Sequence, residues 1–178
     1  MNCKRYLPPS QIEVFLSELP KEIKQEQLGV SVNGLPIHML KLGTGRCSVL
    51  MWSQMHGNET TTTKALLDLI PWLVHQNQKA LLEHFTFYII PQLNPDGAKA
   101  YTRLNANQVD LNRDAIHLSQ PESKILRSLF ERTNPDYALN LHGQRTIYAA
   151  GPMGEAATLS FLAPSADLER SVTSARAK

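Results

Sequence analysis

Short apolar runs alternate along the chain with segments of helical spacing. The runs at 48–52, 85–90 and 137–141 are apolar almost throughout, which is typical of strands buried on both faces. Helical spacing follows at 10–19, after residue 60 and from 121 onward. Asn33-Gly34 separates two alternating segments, 28–32 and 37–40, and predicts a hairpin. The pattern predicts an α/β fold, a three-layer α/β/α sandwich around a mixed central sheet.

Local signals predict where the helices begin and end. Ser10 and Glu13 have the spacing of a capping box, so the first helix is predicted to have Ser10 as its N-cap and to stop at Pro20. Pro71 lies inside the second helical segment and predicts a kink or an end there. Pro121 at the first helical position opens a third helix. The predicted apolar face of that helix comprises Ile125, Leu126, Leu129 and Phe130.

The remaining segments lack a strong period. Residues 91–114 are polar, and we expect one long loop with a functional role, since loops of more than about 15 residues are uncommon in compact domains. Two short strand-like runs, 145–150 and 157–162, follow the strand at 137–141, and a polar tail covers 164–178. We expect residues 1–178 to belong to a single domain.

Composition narrows the class of protein. With 178 residues, 42% of them hydrophobic and 19% charged, the chain is predicted to be globular. A net charge of +2 without a basic run argues against a nucleic-acid partner. The sequence has neither a signal-peptide pattern nor an apolar run near the roughly 20 residues of a membrane span, so we expect a cytoplasmic protein without membrane contact. Two cysteines are too few for a disulfide framework and are expected to be reduced.

Two predicted strands end next to residues that bind metals. His56 and Glu59 lie three residues apart where the strand at 48–52 gives way to a helix, and His142 follows the strand at 137–141. Imidazole nitrogens and carboxylate oxygens are ordinary zinc ligands. Sites in such sheets form at the carboxyl ends of the strands. A His-x-x-Glu pair is common by chance, and the second histidine at another strand end is what makes a metal site the favoured interpretation.

The order of motifs along the chain is more specific than any one of them. His56-x-x-Glu59 is followed by the segment 94–97, Asn-Pro-Asp-Gly, by Arg103, by the segment 110–113, Asp-Leu-Asn-Arg, and by His142. This series resembles the carboxypeptidase A-like zinc carboxypeptidase family over roughly residues 28–163. The resemblance implies the fold of that family and of the related succinylglutamate desuccinylases and aspartoacylases, called phosphorylase/hydrolase-like.

The resemblance implies a metal site. His56, Glu59 and His142 would hold one Zn²⁺ and leave a fourth position open for water, as catalytic zinc sites do. Asp110 would accept a hydrogen bond from His56 and orient its ring. An aspartate that only stabilises a turn is an equally good interpretation of Asp110.

The resemblance also implies a substrate site. Arg103 would stabilise the oxyanion that develops at the scissile carbonyl. Asn112 and Arg113 would bind a substrate carboxylate, to which a planar guanidinium is well suited. Asp114 stands where many members of the family have asparagine, and this difference is expected to affect a contact behind the ligands or the substrate pocket.

One element of the family pattern is missing from the sequence. Members carry a catalytic glutamate well downstream of the last histidine ligand, and it acts as the general base toward the zinc-activated water. Only Glu155 and Glu169 follow His142, and neither has the expected position at the end of a strand. We therefore expect a C-terminally incomplete domain whose general base lies beyond residue 178.

The favoured function is that of a zinc metallocarboxypeptidase that hydrolyses the C-terminal amide bond of a peptide. A zinc-dependent N-acyl amino acid deacylase is the alternative, and the Asn-Pro-Asp-Gly segment at 94–97 favours the peptidase. A third hypothesis is a fragment that binds zinc without catalysis. The expected partner is a peptide or N-acyl amino acid with a free carboxylate. The oligomeric state and the side-chain specificity stay open.

Overall fold

The fold is built on a five-stranded mixed sheet. The computed structural model describes residues 6–75 and 78–143 and two short strands at 149–150 and 155–156. The strands of the sheet are β1 (Lys24–Val30), β2 (Pro36–Leu42), β3 (Cys47–Ser53), β4 (Phe85–Ile90) and β5 (Tyr137–Leu141), in the order β1-β2-β4-β3-β5. β3 is parallel to β4 and β5, whereas β2 is antiparallel to β1 and β4. The predicted mixed sheet is confirmed.

Helices cover both faces of this sheet. They are α1 (Pro9–Glu18), α2 (Thr60–His75), α3 (Lys79–His84), α4 (Pro95–Ala100), α5 (Leu111–Asp114) and α6 (Pro121–Thr133). One apolar cluster joins α1 and α2 to Leu40 and Ile89, and a second joins Leu129 of α6 to Met39 and Ile90. Successive residues of a strand point to opposite faces, so the two clusters lie on opposite sides of the sheet. The predicted three-layer sandwich is confirmed.

The ends of two parallel strands place the candidate metal ligands. In the pairing of β3 with β5, Ser53 is the partner of Leu141. His56 lies three residues beyond Ser53, and His142 directly follows Leu141. The two histidines therefore emerge at the same edge of the sheet, as the strand-end argument predicts.

The first helix begins differently from the prediction. α1 starts at Pro9, its N-cap is Pro8, and no side chain caps its first turn, so the prediction of Ser10 as N-cap is wrong. A proline at the first helical position has its φ already set for a helix and has no amide hydrogen that needs a partner. The helix ends at Glu18, two residues before Pro20.

The hairpin is confirmed, but its first strand is longer than predicted. β1 begins at Lys24, and residues 24–27 pair with residues 38–41 of β2. The side chains of these four β1 residues are exposed, so no alternation of apolar and polar residues marks them in the sequence. The turn contains Gly34 at a φ of 79°, a conformation that glycine adopts without strain.

Pro71 does not end α2, which continues to His75. Leu66, Ile70 and Leu73, on both sides of the proline, are buried. Burial of this apolar face offsets the loss of one backbone hydrogen bond.

The segment 91–114 is not one long loop, and that prediction is wrong. It contains α4 and α5, and residues 91–98 are buried. α4 has Asn94 as its N-cap, and the Asn94 side chain accepts a hydrogen bond from the amide of Gly97. Both helices are too short for an apolar period to reveal them, since four or six residues span less than two turns.

Three residues that the sequence predicts to be buried, one in α6 and two in β5, are exposed. Phe130 is 40% exposed, whereas its neighbour Leu129 is 1% exposed. β5 was predicted to be central, but within the described residues it lies at one edge of the sheet. Tyr137 and Leu139 of this strand are 49% and 41% exposed.

Beyond the sheet, the contacts divide the chain into a unit over 1–143 and a second unit over 144–178. In the second unit, β6 (Ala149–Ala150) pairs antiparallel with β7 (Glu155–Ala156). β6 falls within the predicted run 145–150, while the run 157–162 and the tail 164–178 lie outside the described residues. Cys47 is a free thiol. Among the described residues, no helix is long and apolar enough to cross a bilayer.

Candidate metal centre and substrate site

The loop that carries His56 is fixed by buried polar contacts. Gln54 follows β3, is fully buried and has a φ of 51°, in the left-handed region. Its side-chain nitrogen donates to the Gly57 carbonyl at 2.6 Å, and its oxygen accepts from Thr63 at 2.8 Å and from Gln92 at 2.9 Å. A hydrogen-bonded side chain that spans the loop restrains the backbone on either side of His56.

Close backbone packing restrains the same loop. A Cβ atom at Gly57 would lie 2.0 Å from the carbonyl carbon of Gly97 in α4. The amide of Gly57 also donates to the carbonyl of Arg103 at 3.4 Å. Only a residue without a side chain permits this approach, so the loop and the start of α4 form one packed unit.

Both ring nitrogens of His56 face carboxylates. Nδ1 lies 2.9 Å from Oε1 of Glu59, and Nε2 lies 3.1 Å from Oδ1 of Asp110. The His56 side chain is only 2% exposed. With Nε2 held by Asp110, Nδ1 is the atom directed at the other candidate ligands, which is how carboxylates orient histidine ligands.

Glu59 joins the two histidines. Its Oε2 lies 2.9 Å from Nδ1 of His142 and accepts a hydrogen bond from the amide of Gly143 at 3.0 Å. The ligand atoms of His56, Glu59 and His142 all lie within 4.8 Å of one another. Two imidazole nitrogens and one carboxylate oxygen are a donor set that suits zinc and leaves one position open. The residues present therefore fit the metal.

The carboxylates of this cluster are held in the ionised form. Burial alone would raise the pKa of Glu59, but hydrogen bonds from His142 and His56, the charge of His56 and the Gly143 amide lower it to about 2. Burial alone would also raise the pKa of Asp110, but the hydrogen bonds and charges of His56 and Arg103 lower it below its usual value. Ionised carboxylates are the form that binds a metal ion.

Arg103 bridges the same two carboxylates. Its Nε lies 3.1 Å from Oδ2 of Asp110, and its Nη1 lies 3.5 Å from Oε1 of Glu59. The arginine side chain remains 37% exposed. The structure thus brings the partly exposed Arg103 side chain to the cluster.

Asp110 combines the two interpretations that the sequence left open. Besides contacting His56, its Oδ1 accepts from the amide of Asn112 at 2.9 Å and caps α5. α5 is a single turn that carries Asn112 and Arg113, and it is anchored by the buried side chain of Leu111. One carboxylate therefore connects the metal ligand to the candidate carboxylate-binding pair.

Asn112 and Arg113 differ in their surroundings. Oδ1 of Asn112 accepts from Nδ2 of Asn140 at 3.4 Å. Arg113 is exposed, and no hydrogen bond or ion pair of its guanidinium exists within the described part of the chain. A free guanidinium beside an oriented amide offers donors to an anionic ligand.

The Asp114 side chain holds the turn that follows α5. The Asp114 side chain is buried and accepts hydrogen bonds from the amide and hydroxyl of Ser119 and from the amide of Gln120. Burial alone would raise the pKa of Asp114, but these bonds lower it to about 2. Asp114 holds the turn that leads into α6, and its amide donates to the carbonyl of Asp110 at 3.0 Å. An effect of Asp114 on the substrate pocket stays a prediction.

Sequence reasoning missed Gln54 and Asn140. The signal for Asn140 was a polar residue two positions before His142, within the otherwise apolar strand 137–141. A polar side chain in a strand has a hydrogen-bonding partner when it is buried, and here the partner is a predicted site residue. Gln54 adjoins the His56 motif, but only the left-handed backbone and the buried contacts distinguish it.

Fold, site and comparisons agree on the class of protein. The zinc carboxypeptidase family model matches residues 10–118, which is more than half of the chain. The chain belongs to the zinc carboxypeptidase family. The matched segment begins before residue 28 and ends before His142, so it differs at both ends from the range inferred from the motifs.

Individual relatives give the same result. The chain is 28% identical over 150 residues to carboxypeptidase SOL1 of Arabidopsis thaliana, covering 72% of this chain and 30% of that protein. A metallo-carboxypeptidase from Burkholderia cenocepacia superimposes with a TM-score of 0.69 at 25% identity, covering 79% of this chain and 42% of that one. A Pseudomonas aeruginosa metallo-carboxypeptidase in complex with (2-guanidinoethylmercapto)succinic acid also has a TM-score of 0.69, at 25% identity, over 79% of this chain and 41% of that one. The chain spans less than half the length of these relatives.

Proposed function

We propose that this chain carries the metal centre and the carboxylate anchor of a zinc metallocarboxypeptidase, which hydrolyses the C-terminal amide bond of a peptide. The observation that supports this best is the double role of Asp110. It contacts Nε2 of His56 and caps the single turn that presents Asn112 and Arg113. Metal ligand and anchor are therefore held in a fixed relation, as cleavage next to a terminal carboxylate requires.

Each candidate site residue has a defined role in the proposed reaction. His56, Glu59 and His142 would hold Zn²⁺, which would supply a Lewis acid for the scissile carbonyl and for water. Asn112 and Arg113 bind the terminal carboxylate of the substrate. Arg103, partly exposed beside Glu59, donates hydrogen bonds to the developing oxyanion.

The anchor is tested by ligand binding. The zinc-loaded chain should bind hippuryl-phenylalanine more tightly than the same peptide with a C-terminal amide. Arg113→Ala should lower the affinity for the free acid roughly 10- to 150-fold, the value of a charge-assisted hydrogen bond. The affinity for the amide should change little. Arg127→Ala, an exposed arginine paired with Glu131, is the control and should leave both affinities unchanged. Equal losses on both ligands would make Arg113 a structural residue.

Catalysis is a separate question. Within residues 6–75 and 78–143, the carboxylates that contact the histidines of the cluster are Glu59 and Asp110, and both are engaged there. Neither is free to act as a general base, and proton delivery to the leaving amine also needs such a group. We expect this 178-residue chain to hydrolyse hippuryl-phenylalanine and N-acyl amino acids at the background rate. Turnover that is lost in Glu155→Gln would contradict this and identify the base. Turnover of the N-acyl amino acid alone would favour the deacylase.

A further inference from the structure

Asn140 is a polar residue in the middle of β5 that touches the proposed carboxylate anchor. Its Nδ2 lies 3.4 Å from Oδ1 of Asn112 and 3.6 Å from Sδ of Met55. Met55 is buried, with 3% of its surface exposed. The amide group of Asn140 is therefore placed between a core thioether and a residue of the anchor.

The chemistry of Met55 determines which way the Asn140 amide faces. A thioether sulfur accepts hydrogen bonds and donates none, so it favours the NH₂ group of an amide over the carbonyl oxygen. Within the described residues, Oδ1 of Asn140 is buried and has no hydrogen-bond partner, so the contacts that orient this amide are those of its Nδ2.

The orientation of Asn140 in turn fixes that of Asn112. An asparagine side chain can present either two donors or one acceptor in a given direction. Because Nδ2 of Asn140 faces Asn112, the Oδ1 of Asn112 occupies that side, and the NH₂ group of Asn112 faces away from the strand. A carboxylate accepts hydrogen bonds, so only this orientation of Asn112 attracts one.

We propose that Asn140 is a specificity-determining positioning residue: held by Met55, it fixes the Asn112 amide with its NH₂ group toward the substrate carboxylate. The inference rests on the proposed function, since it takes Asn112 and Arg113 as the anchor. Without Asn140, the Asn112 amide can turn and present its carbonyl oxygen. The preference for a free carboxylate over an amide then falls, while contacts with the rest of the ligand remain.

The experiment measures the ratio of the dissociation constants for hippuramide and hippurate in the zinc-loaded chain. Asn140→Leu removes the donor without adding charge, and Asn140→Asp replaces the donor with an acceptor. We expect the ratio to fall about 2- to 12-fold in Asn140→Leu, the value of one net hydrogen bond, and further in Asn140→Asp. Hippuramide affinity should stay unchanged in the leucine variant. A residue with only a packing role would weaken both ligands equally.

The outcomes separate this inference from the proposed function. If the unaltered chain prefers hippurate, and Arg113→Ala removes the preference while both Asn140 variants keep it, the positioning role is wrong and the anchor stands. If the unaltered chain has no preference, the anchor is wrong and this inference fails with it. If the Asn140 variants do not fold, a measurement on the unaltered chain still tests the proposal. The side-chain NH₂ resonances of Asn112, assigned by their loss in Asn112→Ala, should shift with hippurate and not with hippuramide, and no shift would overturn the proposal.

Discussion

The two histidines of the candidate metal centre are held in different ways. His56 is 2% exposed, has both ring nitrogens in contact with carboxylates, and lies in a loop packed against α4. His142 is 35% exposed, has Nδ1 in contact with Glu59 and its ring 4.7 Å from that of His56, and follows a strand at the edge of the described sheet. The comparison indicates that one half of the centre is formed by the packing of the fold, and that the other half contributes a ligand at small cost to stability.

The largest difference should appear when a glycine is replaced by alanine in each half, at Gly57 in the half with His56 and at Gly143 in the half with His142. A Cβ at Gly57 would lie 2.0 Å from backbone carbon, whereas a Cβ at Gly143 would lie 3.0 Å from the side chain of Glu59. Backbone cannot give way as a side chain can, so Gly57→Ala should lower the free energy of unfolding by on the order of 3 kcal/mol or more. Gly143→Ala should cost about 1 kcal/mol or less. Urea denaturation of both variants measures this, and similar losses would remove the contrast between the halves.

The next effect concerns the turn that Asp114 holds after α5, and it depends on pH. The pKa of Asp114 is lowered from 3.8 to about 2, so its stabilising contribution is complete above about pH 4 and disappears as the pH falls toward 2. A difference of nearly two units corresponds to about 2 kcal/mol. Asp114→Asn should lose this amount at pH 7 and little at pH 2, as measured by urea denaturation. The exposed Asp68→Asn variant is the control, and an Asp114→Asn loss that does not vary with pH would contradict the account.

A smaller effect compares the histidines directly in the metal-free chain. His56→Ala removes one contact from each of two part-buried carboxylates, Glu59 and Asp110, whereas His142→Ala removes one partly exposed contact. We expect His56→Ala to be the more destabilising by about 1 kcal/mol, because it removes one more hydrogen bond to a charged group. Thermal unfolding in the presence of a chelator measures this difference. The reverse order would mean that exposure does not report how firmly each residue is held.

How far the sequence predicted the structure differs between these halves as well. Strands β3, β4 and β5 and the position of both histidines followed from apolar runs, although β5 lies at the edge of the described sheet. The packed loop that carries His56 could not be predicted from the sequence pattern. Its supports are Gln54, Gly57 and the short helices α4 and α5, whose contacts join residues far apart in sequence. No periodicity records such contacts.

The error at the first helix has a specific cause. Ser10 was assigned as a cap from its spacing to Glu13, but Pro9 sets the start of the helix. The spacing of two residues along the chain does not show which residue begins a helix.

The zinc content of the purified chain tests the central claim most directly. After loading and dialysis, elemental analysis should find close to one zinc per chain, and His142→Ala should lose most of it without unfolding. His117→Ala, an exposed histidine outside the cluster, is the matched control and should retain the full amount. Equal zinc in the unaltered chain and in a variant with alanine at His56, Glu59 and His142 would contradict the assignment of the metal centre.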